Sequence, residues 1–139
     1  MLLLDAGPLY AQADRADPHH VDIAEMLKAE SGPLIASAFA VAEADYLILT
    51  RLGVRVELAF LEDLATGTFQ VECLTRGELR TAAALARRYR DLELGLAEAS
   101  LVVLAQRLNT RRVVTFDDRA FRTVSPLQGG AFELLPSDR

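Results

Sequence analysis

The sequence predicts an α/β fold, a parallel sheet of four to five short strands flanked by helices. Three observations carry this. Short runs rich in apolar residues recur at 2–5, 33–37, 68–74, 112–116 and, less regularly, 131–135. Between them lie longer segments whose apolar residues repeat at helical spacing. The chain has 139 residues, 51% hydrophobic and 25% charged, enough for one ordinary globular core. Strands that alternate with helices of this length are joined by crossovers, which make the sheet parallel. No repeat, low-complexity tract or linker interrupts residues 1–139, so a single domain is expected.

The elements follow in order. "LLLD" (2–5) reads as a short buried strand, stopped by a Gly7-Pro8 turn. Asp17-Pro18 opens a helix running to about Ser31, with Asp at the cap and Pro at the first helical position. "PLIAS" (33–37) is the second strand. Two helices follow, "AFAVAEADYLILTRL" and "RVELAFLEDLA", separated by Gly53. The first is apolar nearly all round, the pattern of a buried element. "TFQVECL" (68–74) precedes a further helical pair, "RGELRTAAALARRY" and "LAEASLVVLAQRL". "RVVTF" (112–116) and "AFELL" (131–135) complete the strands.

Composition narrows the function. "MLLL" is too short for a signal segment, no stretch is long enough to span a bilayer, and a cytoplasmic location is expected. Cys73 is the sole cysteine, which excludes a disulfide framework and a thiolate metal cage. Lys28 is the sole lysine among 15 basic residues. The net charge of -5 argues against a broad basic surface for nucleic acid. Carboxylates that hold a cation would contribute to that deficit while still serving a phosphate substrate.

Asp5 and Asp117 each follow a predicted strand directly, at the edge where α/β sheets keep their ligands. Asp5 also suits a plain helix cap. Glu98 shares a helix face with Leu101, Val102 and Ala105, where an unpaired carboxylate is costly. Its place in the first turn also suits simple complementation of the helix N-terminus. Glu43 lies among Phe39, Tyr46 and Leu47, and Asp45 among Val41, Ile48 and Leu49. Periodicity does not choose between these two acids. Two carboxylates about 4 Å apart repel by about 4 kcal/mol at an effective dielectric of about 20. A convergent set therefore implies protonation or a cation, and hard oxygen ligands suit Mg²⁺ or Mn²⁺.

Four segments in order, "LLLDAGPLYA", "IASAFAVAEADYLI", "RYRDLELGLAEASLVVLAQRL" and "RRVVTFDDRAF", resemble PIN-domain ribonucleases of the VapC type. "DRADPHH" resembles a stretch frequent after the first motif. The resemblance spans roughly the whole chain. It implies a PIN-like three-layer sandwich with Asp5, Glu43, Glu98 and Asp117 in an acidic pocket, and it selects Glu43 over Asp45. It also implies Mg²⁺- or Mn²⁺-dependent cleavage of RNA, a homodimer, and restraint by a cognate VapB-type antitoxin. Two positions depart from the pattern: Glu98 replaces the usual aspartate, and Ala6 replaces a Thr or Ser hydroxyl. Asp118 competes with Asp117 for the fourth position, and register favours Asp117.

The reaction this implies is in-line hydrolysis of a phosphodiester by activated water. Arg15, Arg87, Arg88, Arg90, Arg119 and Arg122 are candidate phosphate contacts, although most surface arginines are simply solvated. Ser37 is placed either in the pocket or at a strand end. His19-His20 does not make a zinc site, because adjacent histidines rarely face one ion and zinc needs three or four ligands. A phosphoaspartyl enzyme is disfavoured, since it needs a pocket lysine and Lys28 lies within a helix. The remaining alternative is a degenerate PIN fold that binds a partner without catalysis.

Overall fold

Three leucines at the amino terminus form the central strand of the sheet. The computed structural model describes residues 1–139. The elements are β1 (Leu2–Leu4), α1 (Ala6–Ala13), α2 (His20–Ala29), β2 (Leu34–Ser37), α3 (Ala38–Leu52) and α4 (Val54–Ala65). They continue with β3 (Gln70–Glu72), α5 (Arg76–Arg88), a 3-10 turn (Arg90–Leu92), α6 (Leu96–Arg107), β4 (Arg112–Val114), α7 (Asp118–Thr123) and β5 (Glu133–Leu135). The strands pair in the order β3-β2-β1-β4-β5, all parallel. The chain builds outward from β1 to β3, then returns to the other side of β1 with β4.

Alternate residues of β1, β2, β4 and β5 feed two separate cores, as the period of two requires, while the edge strand β3 is largely exposed. Leu3, Ile35, Val113 and Leu134 pack with apolar residues of α5, α6 and α7. Leu2, Leu4, Ala36, Val114 and Leu135 pack with α1, α2, α3 and α4. The result is three layers, helix on sheet on helix. Each fully buried leucine contributes roughly 1.5–3 kcal/mol of transfer free energy. With only three or four residues per strand, this double burial, rather than strand propensity, fixes the register.

At the amino ends of the central strands Glu30 ties three of them together. Its carboxylate accepts from the Met1 amine (3.1 Å), the Gly32 N–H (3.0 Å) and Arg112 (2.7 Å). The Gly32 N–H is the leading reason its pKa falls to about 2, with Arg112 and the amine adding to it. Arg107, at the end of α6, similarly bridges Glu72 and Glu78.

Three sequence expectations need correction. Gly7-Pro8 is not a turn after β1 but lies in the first turn of α1. Pro8 fits there because the earliest helical N–H groups have no partner within the helix. The second helix starts at His20, not at Pro18. Asp17 Oδ1 accepts from the His19 N–H (2.8 Å), which holds Asp17-Pro18-His19 as a separate turn. Finally, α3 is not buried all round. Only Ala40, Ala44 and Ile48 are buried, while Tyr46 and Leu49 are 66% and 41% exposed. Strand bounds are also tighter than the apolar runs suggest. No helix is long and apolar enough to cross a membrane.

Candidate active site

The sheet order reverses between β1 and β4, and a parallel sheet opens a crevice beyond the carboxyl ends of such a strand pair. Asp5 stands at that point, immediately after β1. It is 6% exposed and caps α1, its Oδ1 accepting from the Ala6 N–H (2.8 Å). Its second oxygen accepts from Thr115 Oγ1 (2.9 Å), just beyond β4. Capping and site placement therefore coexist in one side chain.

Asp117 caps α7 through Oδ1, which accepts from the Ala120 N–H (3.2 Å). Its own N–H donates to Thr115 Oγ1 (3.0 Å). Thr115 is thus a fully buried hydroxyl joining the two aspartates. In the sequence alone Thr115 is one more residue of the "RVVTF" strand run. Once β1 is known to pair with β4 at Leu4 and Val114, Thr115 must lie opposite Asp5.

Glu98 lies in the first turn of α6, and Gly95 is the residue before that helix. A Cβ at Gly95 would stand 2.8 Å from Glu98 Oε2, so the glycine gives the longer arm room to fold over the helix start. Ser100 holds this turn in place. Its hydroxyl lies 2.6 Å from the Ala97 carbonyl and 2.8 Å from Ser37 Oγ. Ser37 is fully buried and caps α3 by accepting from the Ala40 N–H (3.0 Å), so it braces the site without lining it.

Asp5, Glu43, Glu98 and Asp117 line one pocket of about 350 Å³, together with Ala6, Gly7 and Phe116. Glu43 reaches it from the exposed side of α3. Asp45 does not line it. Asp45 lies towards α4, where it raises the Glu57 carboxyl. Asp118 accepts from Ser137 Oγ (2.5 Å), away from the pocket. No arginine or lysine lines the pocket. Arg122, one candidate phosphate contact, is paired with Asp138.

Burial raises the Asp5 carboxyl to about 6, against the Ala6 N–H, and the charges of Glu98 and Glu43 push it further up. Glu43 is also raised, first by desolvation and then by Glu98. The pocket therefore concentrates negative charge that no side chain neutralises. Its donor set is all hard oxygen, the chemistry that suits Mg²⁺ or Mn²⁺. As placed, no three of these side chains close around a single point in the manner of a metal cage.

Residues 2–125 match the family described as PIN domain. The chain belongs to the PIN-domain family. It is 38% identical to Ribonuclease VapC26 of Mycobacterium tuberculosis over 135 residues, 97% of this chain and 100% of that protein. This relationship sets the PIN domain among the VapC ribonucleases. The crystal structure of Mycobacterium tuberculosis VapC20, described as a sarcin-ricin loop cleaving toxin, superposes with a TM-score of 0.79. That match covers 85% of this chain and 91% of VapC20 at 17% identity, and it shows a shared fold.

Proposed function

We propose that this PIN-domain protein is a divalent-metal-dependent endoribonuclease acting as the toxin of a toxin–antitoxin pair. The observation that carries the reading is one pocket lined by Asp5, Glu43, Glu98 and Asp117, at the β1/β4 reversal, in a chain related to a named VapC ribonuclease. Asp5, Glu98 and Asp117 would hold Mg²⁺ or Mn²⁺, with Glu43 binding directly or through water, after side-chain rotation has brought them together. Such an ion supplies Lewis-acid polarisation of phosphoryl oxygens and a more acidic water.

The chain's own residues set the geometry. Thr115 fixes the Asp5 carboxylate through Oδ2 while the Ala6 N–H fixes Oδ1. Asp117 is aimed by its cap on α7 and by the Thr115 hydroxyl. Gly7 and Phe116 complete the lining of the pocket, in which Asp5 is buried while Glu43 and Asp117 are exposed, so a polymeric substrate can approach from the side of the exposed acids. Four acids facing a phosphodiester would repel it without a counter-charge, which is a further argument for the cation.

The partners proposed are RNA as substrate, a VapB-type antitoxin, and a second copy of the chain. Exposed apolar residues on α3 and α4 (Tyr46, Leu49, Val54, Leu58 and Leu61) support an assembled state. Residues 1–139 are proposed to act as one domain. The decisive experiment is cleavage of single-stranded RNA by protein freed of antitoxin, with Mg²⁺, with Mn²⁺ and with chelator. The expected products carry a 5′-phosphate and a 3′-hydroxyl, and a 2′-deoxy scissile nucleotide is still cut. A cyclic phosphate, or cutting that persists in chelator, overturns the mechanism.

A further inference from the structure

Phe116 is 39% exposed, yet it stands at the wall of the acidic pocket between two of the most constrained residues of the site. Thr115 before it is buried and bonded to Asp5, and Asp117 after it caps α7. Its ring is also set from outside. Phe116 Cδ2 lies 3.0 Å from where a Cβ on Gly7 would stand, so any larger residue at position 7 would displace it. The His19 imidazole stacks on it with ring centroids 4.4 Å apart and planes tilted by 30°. His19 is exposed and held by its backbone, its N–H donating to Asp17 Oδ1 and its carbonyl accepting from the Ile23 N–H. Two aromatic rings distant in sequence thus form a rigid, solvent-open step beside the acids.

We propose that Phe116 and His19 form a stacking shelf for the nucleobase next to the scissile phosphate; the inference rests on the ribonuclease reading of the same pocket. A base is the occupant the chemistry favours. The pocket has no arginine or lysine to grip the backbone, and Phe116 is the one aromatic side chain in its lining. Every base offers a π-face, and stacking on an aromatic side chain is worth roughly 5- to 100-fold in affinity. Adjacency of Phe116 to Asp117 restricts the shelf to a nucleotide flanking the cut. Phe116 and His19 are therefore positioning residues.

The test compares wild type with Phe116→Leu, Phe116→Trp and His19→Ala on single-stranded RNA carrying one abasic site, moved in turn across the cut. Phe116→Leu should raise KM about tenfold with kcat within about twofold, and Phe116→Trp should restore it. His19→Ala, an exposed position whose loss leaves the core intact, should raise KM by a smaller factor. One flanking abasic site should weaken wild type about tenfold and leave Phe116→Leu unaffected. Equal impairment of the Leu and Trp variants, or an unchanged KM, overturns the shelf. So does an abasic cost that is the same in both proteins. Binding separates the two readings. In the Asp5→Asn background, fluorescence of a flanking 2-aminopurine should be quenched, and quenching should be lost on adding Phe116→Leu. If wild type cuts no RNA but this pattern holds, the ribonuclease reading falls and Phe116 and His19 stand only as a base-stacking site on bound RNA. If RNA is cut and no quenching depends on Phe116, the shelf falls alone.

Discussion

The two ends of the same three strands treat a carboxylate in opposite ways. At the amino ends Glu30 meets a backbone N–H, a guanidinium and the chain's own amine, and its pKa falls to about 2. At the carboxyl ends Asp5 is buried, and desolvation raises its pKa to about 6, with Glu98 and Glu43 adding to the rise while the Ala6 N–H and Thr115 oppose it. Desolvation leads at Asp5, where no cation offsets it, whereas at Glu30 the Gly32 N–H, Arg112 and the amine outweigh it. An acid whose counter-charges are built into the fold adds to stability. An acid left without one is destabilising when ionised, and such perturbed acids cluster at functional sites.

The sharpest way to break this contrast is Asp5→Asn. RNA cleavage should fall by at least about 100-fold, since small misplacements at a reacting centre already cost that much. Stability should move the other way. Folded Asp5 binds its proton more tightly than the unfolded chain does, so ionising it opposes folding. That cost is absent below about pH 4, grows as pH rises towards 6, and reaches up to about 3 kcal/mol above it. Metal-free Asp5→Asn should therefore be more stable than wild type at pH 7, with the gap closing by pH 4. Denaturant melts at both pH values measure this.

Mn²⁺ should relieve the same repulsion in wild type. At a hundredfold excess over its Kd it should add about 2.7 kcal/mol, and far less in Asp5→Asn. A melting curve indifferent to Mn²⁺ would remove the cation from the argument. Glu30→Gln tests the opposite end and should cost about 2 kcal/mol at neutral pH. The contribution of Glu30 is complete above about pH 4.5 and is lost as pH falls towards 2, so wild type and variant should converge in acid. Cleavage at neutral pH should be almost unchanged. The smallest effect is expected from Thr115→Val, which keeps the volume but deletes the hydroxyl shared by Asp5 and Asp117. It should cost about 1 kcal/mol of stability and about tenfold in rate, and should raise the Asp5 carboxyl further. The pH profile of cleavage reads out that last shift, which a purely structural role would not produce.

The sheet was legible because strand runs and helical periods alternate without ambiguity, and Asp5 and Asp117 were legible as acids after apolar runs. Glu43 was legible only through the family resemblance. Its own neighbours misled, since Tyr46 is largely exposed and the apolar stripe around it is not core. The helix at Ala6–Ala13 was missed because Gly7-Pro8 punctuates a sequence strongly, while a helix's first turn tolerates proline. Asp17-Pro18 had the composition of a helix start, but the Asp17 side chain bonded to His19 instead. Thr115 and Ser37 became meaningful only with strand order, because each acts on a residue far away in the chain.

The Thr115–Asp5 hydrogen bond spans 110 residues of sequence, and it also sets a timetable. The central strand is the first to be synthesised, yet one of its flanks stays open until β4 has emerged to pair with it. Asp5 and Glu43 can be brought near each other early, through β1, β2 and the contact between α1 and α3. Asp117 and the hydroxyl that orients Asp5 arrive only with the last quarter of the chain. Because the loop must close before that contact is rewarded, docking of β4 is expected late in folding. A partly made chain therefore lacks Asp117 and the Thr115 hydroxyl, and the four-acid pocket is completed together with, not before, closure of the sheet.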